Sequence, residues 1–216
     1  MDIEPLVRTV AIYALPVLFA ITLHEAAHGY VARYFGDLTA HAQGRISLNP
    51  ARHVDFLGTI VVPLAILLMS TGKFLFGWAK PVPVNYSALR SPKRHMLWVA
   101  AAGPASNVAM AVGWALLLKL ALVLPVNTFT LPMAEMGKAG IQVNLIFTFL
   151  NLLPILPLDG GRILASLLPN RMAWQYAKLE PWGLPLLVLL MLTNVLDHVL
   201  GPLINVSDGL IRGLFY

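Results

Sequence analysis

His24-Glu25-Ala26-Ala27-His28 sets three ionisable side chains inside an otherwise apolar run. No other feature of the chain restricts its fold as much. From Pro5 to Leu23 the only charge is Arg8, so the motif falls on a helix that has already entered a membrane. Ionisable groups at that depth are costly and are functional by default. Residues four apart share a helical face. The imidazoles of His24 and His28 can therefore hold one zinc ion while Glu25 stands beside the same metal. This is the H-E-x-x-H signature, two metal ligands plus a carboxylate that serves as general base toward an attacking water. The plain alternative is two helix histidines bonded to neighbours, an arrangement that suits a soluble helix better than a membrane span.

Composition agrees. The 216 residues are 58% hydrophobic and 12% charged, which marks an integral membrane protein. A span needs about 20 apolar residues, so the length fits a handful of spans and no separate soluble domain. The expectation is a single transmembrane domain over 1–216, an all-α polytopic bundle. Its long apolar helices are expected over about 5–35, 95–124, 140–153 and 184–200. Residues 58–70 form an apolar run that is short for a span and contains Pro63, and they read as re-entrant or as a short crossing. Residues 74–86, FLFGWAKPVPVNY, carry alternating prolines that forbid a helix. They read as a short β-strand or hairpin at the membrane edge. The first apolar run has no basic leader and passes straight into the metal motif, so a cleavable signal peptide is not expected.

Net charge is +5, but the basic residues lie in loops between apolar runs, a pattern of membrane orientation and not of nucleic-acid binding. Arg33, Arg45, Arg52, Lys73, Lys80, Arg90, Lys93 and Arg94 fall in one region, and Arg162, Arg171 and Lys178 in another. Pro125 to Ala139 holds only Lys138. The positive-inside rule places both basic regions in the cytoplasm. Residues 36–94 should then begin and end on one side.

Two histidines do not complete a catalytic zinc site, which has three protein ligands and an open position. The chain has no cysteine, so the third ligand is His, Asp or Glu. Asp159 is the outstanding candidate. It sits in Asn151-Leu-Leu-Pro-Ile-Leu-Pro-Leu-Asp159-Gly-Gly161, at the end of an apolar helix broken by Pro154, Pro157, Gly160 and Gly161. Irregular backbone at membrane depth is tolerated only inside protein or along a watery cavity.

HEAAH with NLLPILPLDGG far downstream resembles the site-2 protease family of intramembrane zinc metalloproteases. Three further segments are similar to that family's compact bacterial branch: NPARHVDFLGT over 49–59, AGPASN over 102–107, and GWAKPVPVN over 77–85. No PDZ insertion separates the second and third helices. The resemblance implies one zinc ion per chain held by His24, His28 and Asp159, with Glu25 as base and proton shuttle. It implies that Asn151 faces the site, where its amide could donate to the oxyanion; interhelical bonding is the alternative role. Asn107 reads as structural support beside Gly103 and Pro104. His53 and Asp55 either orient a ligand, bind substrate or form a polar loop network. His41, His95 and His198 read as structural or solvated. Lys80, Pro81, Val82, Pro83 and Val84 would bind substrate as an edge strand.

The function this implies is intramembrane zinc metalloendopeptidase, cutting a transmembrane or membrane-associated protein in the bacterial cytoplasmic membrane. Such cleavage serves regulated intramembrane proteolysis or the clearance of remnant signal peptides. The active site would lie toward the cytoplasm. The rival class is a metal-binding transporter or a haem-binding membrane subunit. Glu25 directly after His24, and a carboxylate at membrane depth, suit a zinc peptidase better. An inactive scaffold is a third possibility, but the catalytic positions are intact.

Overall fold

The computed structural model describes residues 3–53 and 80–215, together with 55, 58 and 61. Its long helices are α1 (Ile3–Tyr34), α2 (Pro92–Val123) and α3 (Thr130–Asn151), followed by short α4 (Asp159–Leu167) and α5 (Asn170–Ala177). The chain closes with α6 (Glu180–Leu192) and α7 (Val195–Phe215). The all-α expectation holds, with no strand among the described residues.

Among the described residues two helices are long and apolar enough to cross a membrane, within Val7–Tyr34 and Pro92–Val123, or three if α6 and α7 form one bent span. Four such spans were expected. The third expected helix, 140–153, is α3, which starts ten residues earlier. Asn127 Oδ1 accepts the amides of Phe129 and Thr130 at 2.8 and 3.0 Å and so organises that start. Glu135 and Lys138 hide this first part from a hydropathy reading. The fourth, expected over 184–200, is broken: α6 and α7 meet at 81°, and Asn194 adopts φ 57° at the corner. Thr193 and Asn194 are the only polar residues at that corner, and hydropathy averaged over a long apolar window dilutes them. α4 and α5 were not expected as helices. The re-entrant segment over 58–70 falls outside the described residues apart from 58 and 61, as does 74–79 of the expected edge strand.

The helix order is set by contacts at two ends. α1 stops at Gly36, whose φ of 107° only glycine adopts easily. Arg90 then returns to that stop: its amide donates to Phe35 O at 3.1 Å and its guanidinium to Tyr34 O at 2.6 Å. Phe35 and His95 stack at 4.1 Å. The C-terminal end of α1 and the N-terminal end of α2 therefore meet at one end of the bundle. α2 runs antiparallel to α1, and α3 turns back alongside α1.

α2 is the central helix. It meets α3 through small residues, Ala111 and Ala115 against Ile141 and Leu145, with Ile211 of α7 closing the cluster. A Cβ at Gly137 would strike the backbone of Leu118, so the two helices approach as closely as glycine permits. Leu116, Leu120, Leu122 and Val123 face outward. An outward apolar surface on helices of this length makes the chain an integral membrane protein.

Candidate metal centre

Helical periodicity alone brings His24 and His28 together, with rings 4.7 Å apart and nearly perpendicular. Asp159 arrives from a different element. It does not end an apolar helix as expected but opens α4, after the non-helical turn 152–158. The glycines that follow it have a steric purpose. A Cβ on Gly160 would collide with the carbonyl of Leu152, and one on Gly161 with the backbone of Ile155. Only the Gly-Gly pair lets α4 fold back onto the turn that precedes it, and this return carries the carboxylate to α1.

All three side chains are buried, at 6%, 9% and 8% exposure. Asp159 Oδ2 lies 3.1 Å from His24 Nε2 and 3.4 Å from His28 Nε2. Yet Oδ2 is buried without a hydrogen-bond partner, so the ring nitrogens come close without aiming at it. Three ligand atoms at tetrahedral angles, each about 2.0–2.2 Å from zinc, would be spaced roughly 3.3–3.6 Å apart. The observed spacing fits that geometry. The N2O donor set fits zinc as well. One further observation supports a cradle built for an ion: a Cβ on Gly103 would fall 2.5 Å from His24 Cε1 and 2.5 Å from His28 Nε2. Glycine keeps that volume open.

The remaining nitrogens of both histidines are fixed from behind. His28 Nδ1 lies 2.7 Å from the carbonyl of Val99. A carbonyl only accepts, so Nδ1 carries the proton and Nε2 presents its lone pair to the centre. His24 Nδ1 lies 2.5 Å from Asn107 Oδ1. The orientation of that amide follows from its Nδ2, which donates to Asn144 Oδ1 at 3.0 Å and to Ala20 O at 3.3 Å. Asn144 in turn donates to Gly140 O at 2.8 Å. A buried amide chain from α3 through α2 thus sets the tautomer of His24 on α1. Asn107 and Asn144 are both fully buried.

Glu25, one residue along α1, is bonded through Oε2 to the amide of Val82 at 2.7 Å. Its Oε1 has no hydrogen bond among the described residues. Asn151, at the end of α3, donates from Nδ2 to Phe147 O at 3.0 Å, which leaves its second amide hydrogen. His53 is turned into its own loop, with Nε2 at 2.8 Å from Ser47 O, and Asp55 accepts the amide of Gly58 at 2.6 Å. Lys80 to Val84 run close to Glu25 without forming a strand. Asn144, Val99 and Asp37 were not singled out from sequence, and Gly103 only as a small residue beside Asn107. An asparagine within an apolar helix was the available signal for Asn144.

Comparison with known proteins agrees with this centre. The model of Peptidase family M50 matches residues 127–193, a stretch that includes Asp159. "Putative zinc metalloprotease YwhC" of Bacillus subtilis (strain 168) is 35% identical over 204 residues, covering 93% of this chain and 89% of its own. "Putative zinc metalloprotease Rip2" of Mycolicibacterium smegmatis (strain ATCC 700084 / mc(2)155) is 29% identical over 186 residues, covering 84% and 66%. No solved structure matches. The buried centre on a membrane helix belongs to a metallopeptidase, and the chain is a member of peptidase family M50. Neither the transporter nor the haem-subunit alternative is favoured.

Proposed function

We propose that the chain is a single-domain intramembrane zinc endopeptidase that cuts a transmembrane or membrane-associated protein. The observation that carries this is the convergence of His24, His28 and Asp159 on a helix long enough to cross a bilayer. The two similar proteins carry zinc metalloprotease names, which supports zinc as the ion. His24, His28 and Asp159 would hold the zinc ion, which would supply Lewis acidity toward the scissile carbonyl and the attacking water. Glu25 takes the proton of that water on Oε1 and delivers it to the leaving amine. Asn151 has one amide hydrogen left and donates it to the developing oxyanion. Burial of the three ligands keeps bulk water from competing for the centre.

Substrate enters as extended chain, because a helix keeps its carbonyls hydrogen-bonded. Over 80–85 most donors are already committed. Pro81 and Pro83 have none, and Lys80, Val82 and Asn85 donate to His53 O, Glu25 and Asp37. Among the described residues Val84 N donates to no acceptor, so the strand contact expected over Lys80 to Val84 narrows to Val84.

Glu25→Gln tests the reading, since the amide keeps the shape but accepts no proton. Zinc content should stay near one per chain while cleavage of a reconstituted membrane substrate falls by roughly 10²-fold or more. Near-normal turnover would sink the assignment. The membrane is the bacterial cytoplasmic membrane, with the site toward the cytoplasm. Ser47→Cys and Ser91→Cys should accordingly resist an impermeant thiol reagent added outside intact cells, and Asn127→Cys should label. Outside labelling of Ser91→Cys would reverse that placement.

A further inference from the structure

Val82 lies between two prolines, so its amide is the one donor available over residues 81–83, and it is spent on Glu25. The segment that presents this amide is pinned on both sides. Lys80 N donates to His53 O at 2.9 Å. Asn85 N donates to the fully buried Asp37 at 2.6 Å. Between those points one side chain holds the backbone. Arg45 donates from Nη2 to Lys80 O at 2.8 Å and to Pro81 O at 3.2 Å, and from Nη1 to Arg52 O at 2.5 Å. All three partners are backbone carbonyls on two separate stretches of chain. The side chain of Val82 is buried and packs where a Cβ on Gly29 would lie, 3.2 Å from Val82 Cγ1. Gly29 is one helical turn beyond Glu25, so Val82 is seated against the same helix that its amide bonds.

We propose that Arg45 is a positioning residue for the peptidase reaction: its guanidinium fixes the Lys80–Pro81 backbone, which holds Val82 N–H on one oxygen of Glu25 and leaves the other oxygen for the proton. This rests on the reading of Glu25 as general base. A glutamate on a helix has three rotatable bonds, and only a fraction of its rotamers reach the water beside the metal. Anchoring one oxygen removes that freedom before substrate arrives. Arginine in particular suits this role. Its planar fork spans three carbonyls, which the single ammonium of lysine does not. Arg45 contacts no metal ligand, so its effect should fall on turnover and leave metal binding intact.

The test measures kcat, KM, zinc content and melting temperature for zinc-loaded Arg45→Ala and Arg45→Lys, with Glu25→Gln in parallel, on a reconstituted membrane peptide. Arg45→Ala should keep its zinc and its KM while kcat falls roughly tenfold to hundredfold. Guanidinium ion, added well below denaturing concentration, should restore part of that kcat in Arg45→Ala and none in Glu25→Gln. Arg45→Lys keeps the charge without the fork and should lose at least about fivefold in kcat. It keeps the test open should the alanine variant fail to fold. A wild-type kcat in folded Arg45→Lys overturns the proposal. So does a loss confined to KM, which would make the segment a substrate contact, and so does loss of zinc. If Glu25→Gln is inactive and Arg45→Ala normal, the positioning role alone fails. If Glu25→Gln turns over normally, the base assignment fails whatever Arg45 does.

Discussion

The metal centre and α7 are built on opposite principles, though both are helical and apolar around their edges. At the centre, every ring nitrogen of the two histidines is committed. Each Nε2 faces the ion position, and each Nδ1 is held, by Val99 O or by Asn107. Its glycines are steric necessities, because a Cβ on Gly103, Gly160 or Gly161 would occupy ligand or backbone positions. Along α7, a Cβ on Gly201, Gly209 or Gly213 would meet nothing within 4 Å. Leu196 and Leu200 of α7 pack with Leu187 of α6 in a buried apolar cluster across the 81° bend. The same residue type is thus indispensable at the centre, and at Gly183 of α6, where a Cβ would strike Leu156 O, yet incidental along α7. Local crowding decides which, and the apolar character of the sequence does not.

Substitutions can break this contrast. Asp159→Ala should have the largest effect, lowering zinc occupancy and activity together, since two imidazoles alone leave the metal under-coordinated. Stoichiometric zinc in that variant would move the third ligand elsewhere. Gly103→Ala should come close behind, because its methyl overlaps both imidazoles; metal analysis should show zinc depleted while the helical circular dichroism persists. Wild-type zinc content in Gly103→Ala would end the claim that the cradle is sterically set. Asn151→Ala should leave zinc bound and slow turnover by roughly 10²-fold if its amide stabilises the oxyanion. Asn107→Ala should weaken zinc affinity by about 10–100-fold, the usual cost of removing a group that orients a ligand. An unchanged affinity would show His24 to be held well enough by packing. Gly209→Ala should have the smallest effect, with activity unchanged and stability within about 1 kcal/mol of the wild type. A clear loss there would mean that α7 packs against something the chain itself does not supply.

Much of the centre is legible in the sequence because it is local. His24 and His28 are neighbours by helical periodicity, and Asp159 stands out as a carboxylate in a Pro- and Gly-broken apolar stretch of a chain without cysteine. The fold is legible in class and less so in its parts. α1 and α2 are unbroken apolar runs that any hydropathy argument finds. Hydropathy shortens α3 because Glu135 and Lys138 interrupt its apolar pattern, although its buried face continues from Gly137 to Thr148. The α6–α7 break escapes a reading by mean hydropathy because Thr193 and Asn194, where the backbone turns, interrupt the apolar run for only two residues.

The sequence by itself holds the chemistry that residue identity carries: two imidazoles on one helical face, a glutamate beside them, a carboxylate far along the chain and an apolar surround. Tertiary structure alone decided which atoms complete that chemistry. The carbonyl of Val99 and the amide of Val82 are backbone groups that every non-proline residue possesses, so no letter in the sequence marks them. Asn107, Asn144 and Arg45 are visible as residues, but their partners lie at least 35 positions away in most of these bonds. Only the packing of α1, α2 and α3 and the return of segment 80–85 bring those groups within hydrogen-bond reach. A hydrogen bond acts over about 3 Å, and sequence separation does not encode which groups come that close.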